Sequence, residues 1–333
     1  MLKSDTSSYP PSFFWLPVAL TIGFFCVAPQ LVSAYRLELL TIFLINVILA
    51  QSYRLMTTTG DWTLCHYILM GVGAYATGIL AKSYGVPFYL AMPLAALITV
   101  AVSFLIAVPL SRTIGFAFFI ASFALGEFIR HIWLKFHNPF GGARGVNGIP
   151  KLELGQPGDW FYVDFWDSTN FYFFTLIFCL LSLLVLYRID RSRVGNVWKS
   201  IYADSELCGS IGINVTRYRV LLFCVAGFFA GIAGSLLAYL VGSIDPHNFE
   251  MVEMVYLIIW VVVGGVKTYW GPLIGVFSMS LVFELTRPLE QWRPLLFGLI
   301  LILFLVFMPG GLETLIPRVK AFFAGLFAKK ETT

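Results

Sequence analysis

A chain of 333 residues that is 59% hydrophobic, 12% charged and of mean hydropathy +0.83 lies far from the soluble norm of about 45–50% apolar and 25% charged. That balance excludes a single aqueous core as the place where the apolar surface is hidden, and the 17% aromatic share fits lipid-facing helices ringed at the interfaces. The net charge of +4 is carried by Lys and Arg scattered between apolar blocks, which argues against a nucleic-acid partner.

A helix needs about 20 apolar residues to cross some 30 Å of hydrocarbon with every backbone group satisfied internally. On that ruler the sequence predicts spans at 13–33, 37–53, 62–81, 87–110, 114–134, 171–187, 218–240, 251–264, 272–285 and 295–308. The first follows a polar start with no small-residue cleavage site and reads as a retained anchor. The last few are short enough to be tilted, broken or sharing a crossing. The fold class is all-α and integral to the membrane, a polytopic bundle of about ten transmembrane helices in one domain over 1–333. Helices at 12–187 precede a polar loop at 190–216, and helices at 217–309 precede an amphipathic tail at 312–333 that lies on membrane lipid.

In chain order, the third span brings His66 beside Cys65, then Gly71, Gly73 and Tyr75. Two adjacent candidate ligands without others make no metal site, so His66 reads as a packing or pathway residue and no metal is expected. Small residues at helical spacing let backbones approach closely, which in lipid replaces the missing hydrophobic drive for association. Gly227 and Gly231 in the seventh span and Gly264 and Gly265 at the end of the eighth belong to the same class. Glu127 and Arg130 in the fifth span are three apart and pair on one helical face, unless Glu127 meets solute. Glu284 and Arg287 stand in the same relation.

Residues 138–170 form an outer loop rich in Gly, Pro and Asp, and connections that long carry function or move. Its Gly141, Gly142, Arg144, Gly145 and Asn147 are the candidate docking surface. The second polar stretch alternates apolar and polar residues at helical spacing, and a single amphipathic helix is predicted over 197–211, stopped by Gly212. One side carries Val197, Ile201, Leu207, Cys208 and Ile211, the other Lys199, Asp204 and Glu206. Amphipathicity alone leaves open whether that stripe enters lipid or protein. Placing 190–216 in the cytoplasm puts about fourteen of the 22 Lys and Arg inside, with both termini cytoplasmic.

Enzymatic signatures do not occur. Gly264-Gly265-Val266-Lys267-Thr268 has the residue types of a nucleotide cradle at the wrong spacing, and HExxH, GxSxG and dinucleotide fingerprints do not occur. The five cysteines form no CxxC pair.

Several segments resemble a known family. Gly60-Asp61-Trp62-Thr63-Leu64-Cys65-His66 with Gly71-Val72-Gly73-Ala74-Tyr75 is similar to the "GxxSLGHAAFxGIGAY" region of the M-type permease subunit of branched-chain amino acid ABC importers. Arg112 with Gly115-Phe116-Ala117-Phe118 and Gly126-Glu127-Phe128-Ile129-Arg130 resembles its "RGxYFAxxTLAFGEIxR". Gly141-Gly142-Ala143-Arg144-Gly145-Val146-Asn147-Gly148-Ile149-Pro150 resembles its "TGGxxGxxGIP". Ile211-Gly212-Ile213-Asn214, Gly227 to Gly234, Gly271-Pro272 and Pro309-Gly310-Gly311-Leu312 complete the order. Cys65, Tyr67 and Ile68 depart from the family's small residues.

The resemblance implies an importer of small polar solutes, most directly branched-chain amino acids, with urea, amides or aromatic acids as the alternative cargo. It implies a bacterial inner-membrane location and three kinds of partner: a homologous second permease subunit, two ATPase subunits that bind ATP and Mg, and a periplasmic solute-binding protein. No cofactor is then held by this chain itself. Lys199, Ile201, Asp204, Glu206, Leu207 and Gly212 become the surface that couples to the ATPases. An ion-coupled secondary transporter, the alternative of another class, normally places carboxylates near the midplane, and these spans read as almost free of Asp and Glu.

Overall fold

The computed structural model describes residues 29, 32–150, 152–154, 163–165, 167–308 and 310–314. The predicted first span (residues 29, 32 and 33 apart), the tail beyond 314 and part of the outer loop lie outside them.

The spans appear as α1 (Ala34–Thr57), α2 (His66–Tyr84), α3 (Phe88–Leu110), α4 (Gly115–Lys135), α5 (Ser168–Asp190), α8 (Val215–Val241), α9 (Met251–Gly264), α10 (Gly271–Leu285) and α11 (Arg293–Phe307), with α6 (Arg193–Ala203) and α7 (Ser205–Ser210) between α5 and α8. Five of them, α1, α3, α4, α5 and α8, are long and apolar enough to cross a membrane. The chain is a multi-pass membrane protein. Short polar signals set the ends. Asp167 and Asn214 accept backbone N–H bonds from Thr169 and Arg217 as N-caps of α5 and α8, while Gly85 and Gly242 close α2 and α8 in the left-handed conformation.

Helix α8 is the axis, packed along α1, α2 and α3. Its register against α2 is fixed by glycine. A Cβ on Gly73 would sit 2.5 Å from the Gly231 Cα, and one on Gly234 only 1.9 Å from the Met70 carbonyl oxygen, so no other residue lets these backbones meet. The seam is pinned by Thr77 Oγ1 donating to Ser235 Oγ at 2.7 Å. Outward from the axis, α4 buries Phe118, Ser122, Gly126 and Trp133 and turns most of its surface away.

The last three helices are short, as expected. At 14 residues α9 is about 21 Å long, less than the hydrocarbon thickness. The reason is upstream: the outer loop carries the short strands β1 (Val146–Asn147), β2 (Glu153–Leu154) and β3 (Val163–Asp164), and the connection after α8 makes β4 (Ser243–Ile244) and a 3-10 turn (Pro246–Phe249), then packs back against the bundle. Phe249 is buried against Tyr67, with ring centres 5.7 Å apart, and against Trp133 at 5.8 Å. Phe249 thus pins the start of α9 to the bundle, while Met251 and Val252 of its first turn are exposed.

One expectation needs correction. The polar stretch after α5 is two helices, because Asp204 leaves the helix (φ −160°, ψ 105°) and its carboxylate caps a new one by accepting from Glu206 and Leu207 N–H groups. A short acceptor side chain offers the backbone an alternative to continuing the helix.

Candidate functional site

On the α6–α7 face, Trp198 is fully buried and donates from Nε1 to the Tyr218 carbonyl at 2.9 Å. Ile201 is buried beside it, and the Tyr202 ring covers Gly60 in the α1–α2 loop. Lys199, exposed on the wet side as expected, also reaches back to Asp190 at the end of α5, 3.2 Å from Oδ1 and 2.9 Å from the backbone oxygen. Asp190 also faces Arg54 at 3.5 Å, with both side chains nearly buried, and Arg54 Nε donates to the Val266 carbonyl. A second buried pair joins Arg219 to Asp61 at 3.2 Å. Burial holds the Asp61 carboxyl above the usual carboxylate range, against the pull of Arg219 and the Thr59 hydroxyl bond. So α6 is tied to α1, α5 and the α9–α10 turn through Asp190 and Arg54, by ion pairs and by hydrogen bonds from Lys199 and Arg54 to backbone carbonyls.

What these ties leave outside is apolar. Tyr202 (68% exposed), Leu207 (60%) and Ile211 (70%) project beside Asp204 and Glu206, and Gly212 (φ +88°) ends the feature. Of the predicted stripe, Ile201 and Cys208 turn inward while Leu207 and Ile211 remain uncovered.

On the opposite face the Gly-rich loop is knitted to the re-entrant connection. Strand β1 (Val146–Asn147) pairs antiparallel with β4, Val146 opposite Ile244. Gly145 (φ +63°) passes so close that a Cβ would lie 1.9 Å from the Ile244 oxygen, and Gly142 faces His137. Lys82 donates to the Asn147 carbonyl at 2.6 Å, and Asn147 Nδ2 to the Arg144 carbonyl at 3.0 Å; both Arg144 and Asn147 are exposed. Glu127 pairs with Arg130 at 2.8 Å as the spacing predicts, and Arg130 reaches on to Glu250 at 3.8 Å, which links α4 to the connection. Glu284 and Arg287 also pair, at 3.8 Å, and both meet the Tyr35 hydroxyl.

Between the faces, His66 is fully buried with Nε2 2.9 Å from Ser52 Oγ, next to the Tyr53 ring. Tyr75 stacks on Trp133 at 4.6 Å, and Gly71 lies under Trp133 and Phe249. Gly227 and Gly231 meet Ser103 and Thr99 of α3. At the base, Gly264, Gly271 and Gly275 bring α9 and α10 into contact, and buried Glu313 closes the turn between them. It accepts from the Lys267 and Thr268 N–H groups at 3.1 and 2.9 Å, with Gly265 against its side chain.

The sequence reading missed the Arg54–Asp190 and Asp61–Arg219 pairs and Glu313. It also missed a cavity of about 220 Å³ between α2, α8, the re-entrant connection and α9, lined by Tyr67, Ser243, Asn248 and Glu253 among apolar residues. Glu253 had a signal available: it is a carboxylate inside the apolar run 251–264.

The chain is 28% identical over 302 residues to the high-affinity branched-chain amino acid transport system permease protein LivM of Salmonella typhimurium, covering 85% of this chain and 71% of the relative. It is 27% identical over the same length to LivM of Escherichia coli. The fructose import permease protein FrcC of Rhizobium meliloti is 29% identical over 141 residues, 38% of each chain. No solved structure matches. The family model for the branched-chain amino acid transport system permease component matches residues 35–309, from the first turn of α1 to just past α11, and the chain therefore belongs to that permease family.

Proposed function

We propose that this chain is the M-type permease subunit of an ABC importer for branched-chain amino acids in a bacterial inner membrane, with both termini cytoplasmic. It forms the translocation path with a homologous second permease subunit. Two ATPase subunits, which hold ATP and Mg, dock on the α6–α7 face, and a periplasmic solute-binding protein delivers solute at the β1–β4 face. Family membership and the two LivM relatives support the cargo.

The observation that carries this reading is the α6–α7 feature. Tyr202, Leu207 and Ile211 are uncovered, yet the helix beneath them is braced by Trp198, Lys199 and Asp190. An apolar end on a rigid mount fits a groove in a partner, and motion of that partner reaches α1, α5 and the α9–α10 turn through the buried charges. Purification of the chain with its native partners tests this. ATPase subunits copurify with the wild type, and Glu206→Lys weakens their association in part, since one rim charge carries limited affinity. Gly212→Leu weakens it further because φ +88° strains any side chain there. Unchanged association in both variants places the coupling surface elsewhere.

A further inference from the structure

The cavity between α2, α8 and α9 has a chemistry of its own. Its apolar wall comes from Ala74, Leu237 and Phe249, and Tyr67, Ser243, Asn248 and Glu253 supply two hydroxyls, an amide and a carboxylate. About 220 Å³ is some seven times the ~30 Å³ share of one water and below the range of drug-sized pockets, so only a small solute fits. Glu253 lies in the first turn of α9, where the unpaired N–H groups favour an anion. Among the described residues no cation stands within ion-pair distance of it. Arg130 is committed to Glu127 and Glu250, and Arg293, though within electrostatic range, stacks its guanidinium 4.2 Å over Phe283. A carboxylate inside a membrane bundle without a counter-ion is costly to keep, and such groups mark solute paths. Among the described residues no group of three metal-ligating side chains occurs, so a divalent cation lacks its ligand set here.

We infer that this cavity is a subsite for a primary ammonium carried on a short apolar body, with Glu253 as its counter-ion, the Asn248 amide oxygen and the Tyr67 hydroxyl as further acceptors, and the Ala74–Leu237 wall against the apolar part. The inference rests on the importer reading in that the solute passes this chain, and it adds which residues recognise it. Tyr67 stands where the resemblance expects a small residue, so it narrows the cavity and sets the size of the apolar body admitted.

Charge-selective thiol labelling of the purified full chain with its partners tests this without reference to transport. In Ser243→Cys, and independently in Asn248→Cys, the new thiol is modified with 2-aminoethyl or 2-sulfonatoethyl methanethiosulfonate, using the parent protein to subtract the native cysteines. Relative to their rates with a free thiol, the ammonium reagent is expected to react about tenfold faster than the sulfonate, as one nearby unpaired carboxylate dictates. Adding Glu253→Gln should abolish that preference. Millimolar leucine should slow labelling, and 4-methylpentanoate, which lacks the ammonium, should not. Equal rates for the two reagents, a preference that survives Glu253→Gln, or equal protection by the two probes would overturn the subsite. Failure of the wild-type complex to take up leucine on ATP would instead strike the importer reading, and the labelling ratio reports independently of it.

Discussion

The Gly73–Gly231 contact shows how much one hydrogen decides in this fold. A Cβ on Gly73 has no room at 2.5 Å from a backbone atom, whereas one on Gly298 of α11 meets nothing within 4 Å. Gly73→Val should therefore lower thermal stability in detergent by about 1–3 kcal/mol or more, as overpacking does, while Gly298→Ala stays neutral or stabilising. Equal melting temperatures for the two variants would contradict the seam. The glycines were legible in the sequence because their helical spacing is local; that Gly73 faces Gly231 was not, since it depends on how two distant helices cross. Glu127 with Arg130 was legible for the same local reason, and the pairing of Arg130 with Glu250 was not. In the outer loop, Gly142→Val with Gly145→Val should cut uptake while leaving membrane insertion intact. Gly145 cannot carry a side chain against the Ile244 oxygen, so the β1–β4 pairing is lost. Full uptake by the double variant removes this loop from the mechanism.

At the scale of elements, the α6–α7 feature depends on its mount. Asp190→Asn leaves Arg54 buried without its charge partner, a change that typically costs about 3–5 kcal/mol. It should also loosen α6, so that amide hydrogen exchange across 193–203 rises well above wild type. Lys199→Met, which removes the more exposed partner, should have a smaller effect. Equal exchange in the two variants would mean that Asp190 does not hold the helix. The sequence placed the amphipathic segment but ran it as one helix through Asp204, although an Asp followed by helix formers is itself a helix-start signal. Helix ends elsewhere were legible to within a few residues, because Pro, Gly and polar caps stop apolar runs sharply. The re-entry of the α8–α9 connection was not, because it follows from contacts of Phe249 with Tyr67, Gly71 and Trp133 that no local pattern encodes.

Over the whole molecule, α8 joins the two faces, with Arg219 buried against Asp61 at one end and Gly242 at the other leading into the β4 pairing and the cavity. ATPases docked on α6–α7, as proposed, would act on the helix whose far end borders the Gly-rich loop. Fold class and family were legible from apolar run lengths and motif order, whereas the long-range ion pairs and the cavity required the packed structure. The most direct measurement is leucine accumulation in proteoliposomes holding this chain with its second permease, ATPases and binding protein. The account predicts uptake that requires ATP inside the compartment where α6–α7 lies, persists when ion gradients are collapsed, and falls sharply with Gly212→Leu. Leucine uptake by the chain alone, driven by an ion gradient and indifferent to ATP, would contradict it.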